Sequence, residues 1–175
     1  MYKIFFSAII IFYILFISFV SAHSNKKKSI KAHEHGVGVL NIAQDGNILL
    51  FEFEIPGYDI VGFEYAAKEQ SDIEKVDNAI DILSNYKNMI IPSGSAKCKL
   101  DTSSAKVINE GKHSEFLSDY KFTCENIVDL KIIYIKYFKN FINSKKLNVK
   151  VFGSKNKSTY VINNSKKVIN VKGHF

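Results

Sequence analysis

Apolar and polar residues alternate through VGVLNIAQ and again through ILLFEFEI, with Asp45-Gly46-Asn47 between them. A period of two predicts strands that bury one face, and Asp-Gly predicts a tight hairpin turn. In the second segment Leu49, Phe51 and Phe53 share one face, while Leu50, Glu52 and Glu54 share the other. Pro56-Gly57 ends the strand. A connector, YDIVGFEYAAKEQ, leads to Ser71-Asp72-Ile73-Glu74, which has capping-box spacing. Ile73, Val76, Ile80, Leu83 and Tyr86 then recur at helical intervals. They predict one main helix over about 71–88 with an apolar core face.

IIPSGS breaks that helix, AKCKL reads as a short strand, and DTSSAKVINEGK (101–112) reads as a polar connection. HSEFLSDYKFTC alternates again. Phe116, Ser118, Tyr120, Phe122 and Cys124 take one face; His113, Glu115, Leu117 and Asp119 take the other. LKIIYI is either a strand or the start of a second short helix through KYFKNFI, and KLNVKVF, STYVIN and KVINV read as closing strands. The pattern predicts an α+β single domain: antiparallel sheet pairing, one main helix and a second short helix.

The ends change the picture of where the domain starts. Ile4 to Val20 is an uncharged apolar run after Lys3, followed by small residues at Val20-Ser21-Ala22. This is the grammar of a secretory signal peptide, residues 1–22, cut after Ala22. The rival reading is an uncleaved membrane anchor. Residues 23–31 form a basic linker, and 32–175 the domain. In an exported chain, Cys98 and Cys124 read as one disulfide stapling that domain, with free thiols or zinc ligands as the alternatives.

The net charge is +7, and every basic residue apart from histidine is lysine. Without arginine the chain lacks the bidentate fork used for phosphate and base recognition, so nucleic acid is not an expected partner. Acids dominate from Ala32 to Asp81 and lysines from Ile82 onward. No nucleophile elbow and no phosphate-cradling glycine loop is present, so the chain is not read as an enzyme.

The acidic half holds His33-Glu34-His35. In an extended segment residues two apart point the same way, so both rings would face one side and Glu34 the other. His113 and Glu115 repeat that spacing on the face of their strand away from Phe116. Two such pairs on neighbouring strands would complete an N/O set for a single zinc ion. Protonated imidazole cannot bind a cation, so affinity should fall as pH drops through roughly 6 to 7. His174, beside the C-terminus, is expected to be frayed and solvated.

AHEHGVGVLNIAQDGNILLFEFEIPGYDIVGFEYA, from Ala32 to Ala66, resembles the opening of the zinc-regulated periplasmic zinc-binding proteins, the ZrgA-like family. The matching pattern is His33-Glu34-His35-Gly36, a strand pair, then Asp59-Ile60-Val61-Gly62-Phe63-Glu64; KCKL and HSEFLSDYKFTC are similar as well. The resemblance implies a periplasmic accessory protein that captures or buffers zinc (Zn2+) and supports its acquisition. It implies His33, His35 and His113 as ligands, with Glu115 and Glu64 as further candidates. A zinc uptake transporter or its binding protein is the implied partner. Membrane attachment, facing the periplasm, follows only if the signal segment stays uncleaved. Two departures stand out: residues 101–112 contain no histidine, and Tyr65 stands where the family tends to have one. The competing reading is a non-metal envelope module that uses its lysine-rich face.

Overall fold

The computed structural model describes residues 34–175. The expected signal peptide, the basic linker and His33 lie outside the described residues. Strands β1 (Val37–Asp45) and β2 (Ile48–Pro56) form the predicted hairpin, with Gly46 at φ 56° in its two-residue turn. A second hairpin joins β4 (Cys98–Glu110) to β5 (His113–Cys124), and a third joins β7 (Lys146–Phe152) to β8 (Lys157–Asn163). These strands build one six-stranded sheet in the order β4-β5-β2-β1-β7-β8. Three short strands, β3 (Ile90–Pro92), β6 (Ile132–Ile135) and β9 (Val168–Asn170), make a second sheet in the order β3-β6-β9.

One hydrophobic cluster joins the inner faces of both sheets. It takes Phe51 and Phe53 from β2, Phe116, Tyr120 and Phe122 from β5, and Ile133 and Ile135 from β6. The expected faces of β2 and β5 are therefore the buried ones. Helix α2 (Gln70–Ser84) closes the cluster with Ala79 and Leu83. Its last carbonyls find partners in the sheet: the Tyr120 hydroxyl donates to Leu83 O and the Ser103 hydroxyl to Ser84 O. These bonds satisfy orphan groups that any helix C-terminus leaves.

The α+β expectation is overturned. The fold is mostly β, with nine strands in two sheets and two α-helices among the described residues. Three local causes account for the difference. The polar stretch 101–112 is not a connection, because most of it is the edge strand β4, paired with β5 along nearly its whole length. β4 contains no fully buried residue, so it carries no apolar period to read. KYFKNFI is not helical; a single 3-10 turn, Tyr137–Lys139, follows the strand β6. The second helix is instead α1 (Gly57–Val61), within the stretch expected to be a connector. The sheet is also not purely antiparallel, since β7 pairs parallel to β1.

The main helix starts at Gln70 and ends at Ser84, shorter than expected at its C-terminal end, and the residues 86–88 form a separate 3-10 turn. Its capping box does not form; the N-cap is Glu69, with no side-chain capping bond. Cys98 and Cys124 are bonded to each other, and they are register partners at the open end of the β4–β5 hairpin.

Candidate metal centre

His35 lies in a turn immediately before β1, with Val37 N–H donating to Glu34 O at 3.1 Å. The segment is thus not extended at His35, contrary to the sequence expectation. Gly36 follows at φ 86°, a backbone conformation that suits glycine. The turn is clamped on two sides. Gly36 O accepts N–H bonds from Lys145 and Lys146 at 2.9 Å each, and Gly36 N–H donates to Asp59 Oδ1 at 2.6 Å. Glu34 points outward, with its carboxylate 3.9 Å from Lys146 Nζ.

Helix α1 supplies the rest of the support. Tyr58 stacks its ring on the His35 imidazole, 4.6 Å between centroids and 12° between planes. Its neighbour Asp59 is buried and also accepts from the Ser144 hydroxyl at 3.1 Å; Ser144 in turn bonds the Tyr137 hydroxyl. Burial pushes the Asp59 carboxyl above its usual range, opposed by the Gly36 and Ser144 hydrogen bonds and by His35. Gly62 ends α1 in the left-handed conformation, with its N–H on Tyr58 O at 3.0 Å. That turn brings Glu64 to His113, beside the β4–β5 hairpin turn.

The Glu64 carboxylate lies between two imidazoles. Oε1 is 3.0 Å from His35 Nε2 and Oε2 is 3.0 Å from His113 Nδ1. The rings are 53% and 56% exposed, the Glu64 side chain only 15%. So His35 and His113, far apart in the chain, meet through the Glu64 carboxylate. Glu115 shares the His113 face of β5 and is buried, in register with Pro56. His33 lies outside the described residues.

The triplet is hydrogen-bonded rather than opened around an ion. Among the described residues no group of three or more His, Cys, Asp or Glu stands at metal-holding geometry. The residue types, two imidazoles and a carboxylate, are ones that suit a borderline cation, and each imidazole meets a different oxygen of Glu64. Ligand atoms about 2.05 Å from a tetrahedral zinc lie roughly 3.3 Å apart. The N···O separations of 3.0 Å are hydrogen-bond contacts, so an ion shared by both rings would need them to open slightly.

Tyr65 takes no place in the triplet. Its hydroxyl donates to Asp72 Oδ2 at 2.7 Å, and Lys75 Nζ holds Asp72 Oδ1 at 2.9 Å. Its ring stacks on Phe63 at 4.5 Å. These contacts tie the Glu64 segment to α2. Hydrogen bonds from Lys75 and Tyr65 keep the Asp72 carboxyl below its usual range. Tyr58, Asp59 and Ser144 carried no signal of function by spacing; α1 is too short to show a helical period. His174 corrects another expectation. It is buried, with Nε2 2.8 Å from Ser158 Oγ.

Gly57 fixes how closely α1 approaches β5. A Cβ there would sit 1.9 Å from Ser114 Oγ and 2.9 Å from Phe63 O. Gly57→Ala is expected to cost about 2–3 kcal/mol, as overpacking does. Adding Ser114→Ala should recover part of that loss, because Ser114 Oγ is buried without a hydrogen-bond partner among the described residues. Urea unfolding of the single and double variants checks both statements.

Fold and cluster together define a disulfide-stapled β protein that gathers imidazole and carboxylate side chains beside one hairpin turn. Residues 32–171 match the family model described as ZrgA family zinc uptake protein, and the chain belongs to that family. The match places the chain in a zinc-related role and supports zinc as its partner ion. No curated protein matches the chain.

Proposed function

We propose that this chain is an exported, periplasmic zinc-binding accessory protein that captures zinc at His35, Glu64 and His113. One observation carries the ligand assignment: a single carboxylate, Glu64, lies 3.0 Å from nitrogen atoms of both histidines. His33 and Glu115 are the candidates for a fourth ligand, with water as the alternative that leaves the ion exchangeable. The two half-exposed rings let an ion enter and leave, which suits capture and release to a transporter or its binding protein. No catalytic role belongs to this reading. Tyr65 in place of the family's histidine, and the absence of histidine from residues 101–112, suit one ion rather than a reservoir.

Calorimetric titration of the chain from His23 onward is expected to show one zinc ion per chain, bound more tightly than about 10 μM. At a hundred times the dissociation constant, zinc should add about 2.7 kcal/mol of stability by mass action. His35→Ala/His113→Ala should abolish both effects. Binding unchanged in that variant would sink the assignment.

A further inference from the structure

The small sheet turns a row of apolar side chains to solvent. Ile91 lies opposite Tyr134, and Tyr134 opposite Val168, across the three strands. They are 36%, 41% and 42% exposed. Their strand neighbours Ile90, Ile133, Ile135 and Ile169 are buried, so the row is the outer face of the sheet. Lys136, Lys139 and Lys167 border one hollow with Tyr134 and Val168, and all three lysines are exposed. None of the three forms an ion pair among the described residues.

The wider charge pattern points the same way. From Leu130 to Phe175 the chain carries eleven lysines and no aspartate or glutamate. That segment supplies two of the three strands of this sheet, and the third, Ile90–Pro92, carries no acid either. The positive field over this face is therefore not opposed from within the sheet.

We propose that this face docks on an anionic phospholipid surface. Charge complementarity argues for an anionic partner, and the kind of cation argues for lipid over protein. Protein hot spots favour arginine and deep aromatic anchors in formed pockets. Here separate lysines border the Tyr134–Val168 end of a shallow apolar row, whose tyrosine is an amphipathic side chain suited to a headgroup boundary. An ammonium on a flexible stem needs no fixed partner geometry, which a fluid layer of phosphates does not offer. The docking would hold the protein beside a membrane, and it does not depend on the metal centre.

The test uses the chain from His23 onward, which keeps the whole core cluster. It is floated with vesicles of phosphatidylcholine alone and of phosphatidylcholine mixed with phosphatidylglycerol. Binding is expected only to the mixed vesicles and should weaken with salt. Lys136→Gln/Lys139→Gln/Lys167→Gln should lower it about 100-fold, roughly fivefold per lysine near an anionic surface. An equal loss of charge elsewhere, Lys106→Gln/Lys112→Gln/Lys150→Gln, should lower it far less. The chain has no tryptophan, so Tyr134→Trp gives a lone reporter whose emission should shift to the blue on the mixed vesicles. Equal binding to both vesicles, equal losses in the two triple variants, or an unshifted tryptophan overturns the proposal. So does retention by an acidic protein with no vesicle binding.

Discussion

Glu64→Ala is expected to weaken zinc binding by at least about 100-fold while leaving the fold intact. Removing a group that merely supports a metal ligand already costs 10–100-fold in affinity. A ligand that also joins the other two should cost no less. Glu64 touches both histidines, one through each carboxylate oxygen. The structural cost is small by comparison. Both imidazoles are more than half exposed, so each lost contact is of the solvent-screened kind, on the order of 1 kcal/mol or less. Glu64→Gln separates the two roles. The amide keeps the shape and can still hydrogen-bond the rings, but it is a poor zinc ligand. If the triplet serves zinc, Gln and Ala variants lose affinity alike, and apo melting barely moves. If it is only a strut between the first turn and the hairpin, Gln behaves as the parent in zinc titration.

Much of this arrangement was legible wherever a strand buries one face and exposes the other. The faces of β2 and β5 followed from Phe51, Phe53, Phe116, Tyr120 and Phe122, because a core demands apolar side chains at every second position. β4 was illegible for the converse reason. It is an edge strand with no buried residue, so its side chains obey solubility rather than a period, and only pairing with β5 makes it a strand. The parallel pairing of β1 with β7 joins segments about a hundred residues apart, and nothing local encodes such a choice. The shift from α+β to mostly β follows from β4 and from KYFKNFI, where Tyr137, Phe138 and Phe141 serve the core through a 3-10 turn.

The site divides in the same way. His35 and His113 stood out as chemistry without an obvious structural duty. Glu64 entered only through its place in a family pattern, since one more glutamate in an acidic half has no distinguishing period. Asp59 entered only as the first residue of that pattern and Tyr58 not at all, because their role depends on the angle at which α1 meets the first turn. That angle is set by Gly57 against Ser114, a contact between residues distant in the chain.

Breaking the disulfide should have the largest effect on stability and little on zinc. Cys98 and Cys124 close a loop with a sequence separation of 26. For a loop of that size the chain-entropy estimate is about 3–4 kcal/mol. In a domain of this length such a loss lowers the melting temperature by roughly 10 °C. The placement sharpens the expectation. β4 buries nothing fully, so its outer end is held by the ladder to β5 and by the covalent link. Once the link is gone, that end can fray, and with it the seat of α2, whose final carbonyl accepts from Ser103 on β4. His113 lies at the opposite end of β5, beside the hairpin turn, where register is fixed by Glu110 opposite it. Cys98→Ser/Cys124→Ser, compared with the parent by calorimetry, should therefore melt lower yet keep zinc affinity within a fewfold at 25 °C. An unchanged melting temperature would show that the pairing of β4 needs no staple. A collapse of zinc affinity in a still-folded variant would show that the two ends of the hairpin are coupled, so that the disulfide belongs to the metal centre as much as to the fold.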